Sequence, residues 1–239
     1  MKSTFFYSLC VGLLLALVLT AGPVRAVKTS TKVQLLETGE FHGDEVKART
    51  GERWLGLFPV KNGYALLPST IAVAAVFDPI VDEDETKDKT GKSVTVSRNT
   101  EPVFLLKGAD SLRSGPVVTI FDEPKSMGNG ATIDLQLEGR RYQLRVISND
   151  PKPTDYLQQD TRLILTMGKT TQTLIYLKEH TDAGWFLYWA GDMDRDGKLD
   201  LYLDLSNNYN VSRKMLFLSS QAGKGKLVKE FARFVTVGC

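Results

Sequence analysis

Beyond residue 27, apolar and polar residues alternate through much of this chain, in short runs broken by turn-forming residues. Ile133, Leu135 and Leu137 alternate with Asp134, Gln136 and Glu138; Tyr142, Leu144 and Val146 alternate with Gln143, Arg145 and Ile147. A period of two sends successive side chains to opposite faces of a strand. Each run therefore predicts a half-buried strand, and the tight Gly139-Arg140 turn between them predicts a hairpin. The same reasoning predicts hairpins from Arg53–Val60 and Tyr64–Leu67 around Lys61-Asn62-Gly63, and from Leu163–Met167 and Thr171–Leu177 around Gly168-Lys169. Thr70 to Phe77 is continuously apolar and β-branched, as expected of a strand buried on both faces. Further strands are predicted at Lys32–Glu37, Val103–Leu106, Val117–Phe121, Lys214–Ser219 and Phe231–Val237. Lys226–Phe234 has a helical pattern as well as a strand pattern. Asp78–Lys92, with consecutive acids at Asp82-Glu83-Asp84-Glu85, predicts a mobile polar surface loop. A second weak cation site there is disfavoured, because four adjacent acids cannot all turn to one ion.

Many short strands with turns between them and almost no amphipathic helix predict an all-β, mainly antiparallel fold. The form expected is sandwich-like or two small β domains, 27–110 and 111–239, divided near residues 108–117 where Gly115-Pro116 opens a new run. A single continuous sandwich is the alternative.

One stretch departs from simple alternation. Asp192-Met193-Asp194-Arg195-Asp196-Gly197-Lys198-Leu199-Asp200 sets carboxylates at positions 1, 3, 5 and 9 of a loop, with glycine sixth. Carboxylates so close repel one another unless a hard cation lies between them. Calcium accepts six to eight oxygens in flexible geometry. Asp192, Asp194, Asp196 and Asp200 would supply carboxylates, Lys198 its backbone carbonyl, and Gly197 the sharp turn. An EF-hand would place Glu at position 12 between two helices. Position 12 here is Leu203, and Leu199, Leu201, Leu203 and Leu205 alternate with Asp200, Tyr202 and Asp204. Trp185–Ala190 ahead of the loop is an aromatic run with high β-propensity. The unit predicted is strand, loop, strand.

This D-x-D-x-D-G-x-x-D hairpin resembles the calcium hairpin of FG-GAP and VCBS repeats in integrin α-chains and bacterial surface proteins. The resemblance implies a Ca2+ site at residues 192–200. Those families repeat the motif to build propeller blades. This chain carries it once, so neither a propeller nor adhesion is implied. More broadly, Trp185 through Cys239 resembles the C-terminus of uncharacterised secreted bacterial proteins, to which no function attaches.

The N-terminus reads as a secretory signal peptide over residues 1–26. Lys2 precedes an apolar run from Leu9 to Leu19, and Val24-Arg25-Ala26 offers a cleavage site. Removing it takes away Lys2, Arg25 and no acid, so the 30 basic residues become 28, equal to the 28 acidic ones. A neutral chain without a basic stripe disfavours nucleic acid as a partner. It also offers no polybasic patch, and no stable membrane insertion is expected after cleavage. Cys10 leaves with the signal. Cys239 is then alone, which excludes an internal disulfide and leaves a Cys239-linked dimer as an alternative to a plain terminal thiol.

Catalytic signatures are sparse. His42 and His180 are far apart in sequence and cannot recruit a cysteine cluster for zinc. Glu179-His180-Thr181-Asp182 is the one local group in which a carboxylate could orient an imidazole, against the simpler reading of a polar turn. No G-x-S-x-G elbow or P-loop occurs. Trp54, Trp185, Tyr188, Trp189 and Tyr202 could form a sugar- or peptide-binding platform, with core packing favoured. The function expected is that of a secreted or periplasmic, calcium-stabilised β module. Its role would be structural or binding, toward a protein or glycan ligand. A secreted hydrolase of polysaccharide or peptide is the alternative.

Overall fold

The structure is a computed structural model that describes residues 33–150 and 152–238. The predicted signal peptide, Cys10 and Cys239 lie outside the described residues. The described part is all-β and antiparallel, with no helix. Among the described residues no helix is long and apolar enough to cross a membrane.

Sixteen strands are described: β1 (Gln34–Leu36), β2 (Gly39–Phe41), β3 (Arg53–Val60), β4 (Gly63–Val76), β5 (Gly91–Val96), β6 (Leu105–Lys107), β7 (Gly115–Phe121), β8 (Lys125–Met127), β9 (Thr132–Leu137), β10 (Arg140–Ile147), β11 (Thr161–Met167), β12 (Thr170–Leu177), β13 (Trp185–Asp192), β14 (Asp200–Asp204), β15 (Val211–Leu218) and β16 (Lys229–Val237). The main sheet runs β1-β6-β3-β4-β7-β13-β14-β15-β16, with β2 joined through β5 to β4, and β8 paired to β13. It curls until β1 lies against β16, so the sheet is nearly closed. The rings of Phe41 and Phe234, 5.2 Å apart, pack across that closure. A second sheet, β12-β11-β10-β9, stands apart from this one. The region of the predicted division is occupied by β7, which pairs with β4 on one side and with β13 on the other.

Alternation creates two cores. Trp54, Leu57, Leu66, Phe104, Trp189, Tyr202, Leu216 and Phe234 fill the inside of the curled sheet. Ile133, Leu135, Leu144, Leu163 and Leu165 of the second sheet pack against Trp185, Leu187, Leu201, Leu203, Met215 and Phe217 on its outer side. Strand β14 lies between these cores and is buried along its whole length. The half-buried strand expected after the loop is thus buried on both faces: its leucines enter one core and Tyr202 the other. Strand β13 serves both cores by means of a bulge between Leu187 and Trp189. The extra residue shifts the alternation, so Trp185 and Leu187 point to the outer core while Tyr188 and Trp189 turn inward.

Hairpin β9–β10 closes through Glu138-Gly139, both at positive φ, as a two-residue turn matching strand twist requires. Tyr64–Leu67 and Thr70–Val76, predicted separately, belong to the single strand β4, and the second stretch is not buried on both faces as expected: Thr70, Ala72, Ala74 and Ala75 are exposed. The first half of β4 pairs with β3 and β7 and its second with β5. Lys226–Phe234 enters strand β16 from residue 229 and forms no helix.

The acidic loop between β4 and β5 folds on itself. Asp82 accepts hydrogen bonds from the Asp78 and Thr90 amides and the Thr90 hydroxyl; Asp88 accepts from the Glu83 and Asp84 amides. These carboxylates are committed to loop amides, and no group of three or more of them converges as a metal site would require. At the base of the loop, His42 Nδ1 lies 2.6 Å from buried Asp78. The hydrogen bond to Asp78 raises the pKa of His42 and lowers that of Asp78. His42 therefore contributes stability in full below its unfolded pKa of about 6.5. That contribution disappears as pH rises through the higher folded value. Asp78 acts in the opposite sense, losing its contribution as pH falls below the ordinary carboxylate range. Melting temperature should thus fall as pH rises past about 6.5, and Asp78→Asn should remove that slope. An NMR titration placing His42 at its ordinary pKa in the parent protein would refute the coupling.

Candidate metal centre

The loop from Asp192 to Asp200 joins β13 to β14 and is anchored at both ends by the two cores. Met193 is fully buried in the inner core and Leu199 in the outer one. Between these anchors the backbone makes a tight circuit, with Arg195 and Gly197 at positive φ. Gly197 meets that demand without strain; Arg195 is held there by its side chain. The Arg195 guanidinium donates to the Pro116 carbonyl at 3.0 Å and the Arg113 carbonyl at 3.2 Å, tying the loop to the start of β7. From the second sheet, Arg140 donates to the Gly197 carbonyl.

Three carboxylates converge inside this circuit. Asp192, Asp194 and Asp200 each present an oxygen within 4.8 Å of the others. Asp192 accepts the Asp196 and Gly197 amides at 3.0 and 2.8 Å, an internal brace that fixes the bend. Asp200 is completely buried and accepts the Met193 amide at 2.7 Å through one oxygen. Its other oxygen accepts the amide and hydroxyl of Ser219, at 2.8 and 3.0 Å. Asp194 differs. Both its carboxylate oxygens are buried and neither has a hydrogen-bond partner.

Such an arrangement is electrostatically poor by itself. Burial pushes the pKa of Asp200 up to about 7, with the Asp194 charge adding to the rise and the Ser219 and Met193 amides opposing it. Asp194 is also raised, first by burial and then by the charges of Asp196 and Asp192. The Ser220 hydroxyl and the Asp196 amide draw near it and offset part of that rise without completing hydrogen bonds. A buried carboxylate without partners costs on the order of 1–3 kcal/mol or more. A divalent cation at the centre of the three oxygens would remove both the repulsion and the unmet hydrogen-bonding capacity.

Of the five residues expected to coordinate, the structure brings Asp192, Asp194 and Asp200 together. Asp196 turns aside: one oxygen accepts the Lys198 amide and the Ser219 hydroxyl, and the other lies 3.1 Å from Lys198 Nζ. Lys198 is engaged with Asp196 through its amide and its ammonium. Ser219, immediately after β15, was not legible as part of the site, because nothing in its neighbourhood marks it as a partner of an aspartate nineteen residues away.

The other candidates from sequence scatter. His180 is exposed in the connection between β12 and β13. Trp54, Trp185, Trp189 and Tyr202 are buried in the two cores and form no common platform; Trp54 and Tyr188 line two different surface clefts.

The chain matches no family model, no curated protein and no solved structure.

Proposed function

We propose that this chain is an exported, calcium-stabilised β module whose role is binding or structural rather than catalytic. The observation that carries the cation is Asp194, whose two buried oxygens lack partners while facing the carboxylates of Asp192 and Asp200. Calcium is favoured among divalent ions by an all-oxygen donor set on a curved loop that contributes no histidine or cysteine. Its irregular, flexible coordination also suits a site that mixes side chains with main-chain carbonyls. The loop pattern would assign Asp196 and the Lys198 carbonyl to the same shell; Asp196 would have to give up its contacts with Ser219 and Lys198 to join it. The resemblance of the loop to FG-GAP and VCBS hairpins supports the same ion. Export rests on the pattern of residues 1–26.

Catalysis finds little support. Asp204, a buried carboxylate beside a polar cleft, accepts the amides of Ser206 and Arg213 and the Ser212 hydroxyl, and pairs with Lys214. So committed an acid is not free to serve as a general base.

The direct test is titration of the metal-stripped protein with calcium by calorimetry, with magnesium and zinc as competitors. One calcium per chain, displaced poorly by magnesium, is expected. Absence of any heat with calcium would overturn the reading.

A further inference from the structure

The strands that hold the metal loop at one end frame a cleft at the other. Antiparallel pairing brings the start of β13, the end of β14, the start of β15 and the end of β16 to the same end of the main sheet. The cleft there has a volume of about 430 Å³. That lies within the range of about 300–1,000 Å³ usual for small-ligand sites, which favour the mouths of closed sheets.

Its lining combines three kinds of group. Phe186 and Tyr188, on the inward face of β13, are a tilted pair with ring centroids 6.1 Å apart. Tyr209 stands in the β14–β15 connection with 74% of its surface exposed. Asn208 and Asn210 flank it with side-chain amides, which both donate and accept. At the floor lies Lys214, whose side chain is only 9% exposed. Its ammonium sits 3.5 Å from the centroid of the Tyr188 ring and 3.5 Å from an Asp204 oxygen. Among the described residues it makes no hydrogen bond closer than that pair. Its charge is balanced by Asp204 and by the nearby carboxylate of Glu37, and its remaining donors can serve a ligand hydroxyl.

We infer that this cleft binds a neutral saccharide. Flat aromatic faces suit the apolar C–H face of a sugar ring, and the amides and ammonium suit its hydroxyls. An anionic ligand is disfavoured by charge: Asp182 and Asp204 line the cleft against Lys214 alone. A purely apolar ligand would strand the polar lining without partners. The inference rests on reading the chain as a binding module and does not depend on the cation.

Affinity electrophoresis through gels containing amylose, xylan or soluble chitin fragments, with calcium present, tests it. Heparin and polygalacturonate serve as anionic comparisons. Retardation by at least one neutral polysaccharide is expected. Tyr209→Ala, a surface change that leaves the fold intact, and Lys214→Met, with its folding checked by thermal melting, should each weaken binding about tenfold or more. Tyr176→Ala, an exposed aromatic on the second sheet, should leave binding unchanged. The inference is overturned if no neutral polysaccharide retards the protein, if only the anionic ones do, or if Tyr209→Ala binds as tightly as the parent. Loss of saccharide binding with calcium binding intact overturns this inference alone. Saccharide binding without any calcium heat overturns only the cation.

Discussion

Calcium at about 100 times its dissociation constant is expected to stabilise the protein by about 2.7 kcal/mol, and Asp194→Ala to abolish that gain. The variant should behave in two opposite ways. In chelator it should be no less stable than the parent, and even somewhat more so, because it removes a buried carboxylate that lacks partners and repels its neighbours. In calcium it should be the less stable of the two. Asp200→Ala should instead be destabilising in both conditions, since Asp200 braces the Met193 amide and Ser219 without any ion. Thermal melts of the three proteins with chelator and with millimolar calcium decide it. If Asp194→Ala melts well below the parent in chelator, the carboxylate has a structural role of its own and the site needs no ion.

Trp185→Ala should cost about 3–5 kcal/mol, enough to threaten the fold of an ordinary domain. Trp185 is fully buried at the start of β13, where that strand meets both β8 and the second sheet's core. Its indole N–H donates to the Ser206 carbonyl at 2.9 Å. Alanine would leave a cavity and an unpaired buried carbonyl together. Trp185→Phe retains most of the volume and should cost appreciably less, separating the cavity from the lost hydrogen bond. By contrast Tyr209→Ala should change stability by no more than about 0.5 kcal/mol. Urea unfolding of the three variants measures the ranking. A loss below about 1 kcal/mol for Trp185→Ala would show that the two cores are far more plastic than their close packing implies.

The elements legible in sequence were those where alternation ran long enough to be bounded by turns. Strand β3 begins and ends where Arg53 and Val60 place it, and the β9–β10 hairpin follows from Ile133, Leu135, Tyr142 and Leu144. Strand β5 was hidden because its buried positions, Gly91 and Val94, follow a long polar loop and carry only one sizeable apolar side chain between them. Strands β2 and β8 are three residues long, too short to show a period. Pro68 made β4 look like two strands. Yet it pairs with Leu55 just past the stretch of β4 that β7 covers, so one side of the strand carries no ladder at that point and a missing donor is tolerated. The bulge at Leu187 has no sequence mark, and it alone decides that Trp189 belongs to a different core from Trp185.

The candidate metal centre was more legible than the cleft for a related reason. Asp192, Asp194 and Asp200 are close in sequence, and their spacing shows what chemistry they share. Lys214, Tyr209 and Phe186 come from separate segments, and only the pairing of β13, β14 and β15 brings them to one place. The alternation of Asp200, Tyr202 and Asp204 reads as an ordinary half-buried strand, and only the structure shows that this polar face is buried as well. One of those acids faces the loop and the other the cleft.

The near-closure of the main sheet also bears on how the molecule is made. The strand pairs β3–β4, β9–β10 and β15–β16 form from neighbours in the chain, but the inner core is sealed only when β1, the first described strand, meets β16, the last. Such long-range closure carries a heavy entropic cost before its contacts can repay it, and it places this topology among slow folders. During that interval the apolar lining around Leu35, Trp54 and Phe234 is open to water and to other chains. Strand β16 therefore acts as a latch: the inner core stays open, and vulnerable to aggregation, until β16 lies against β1.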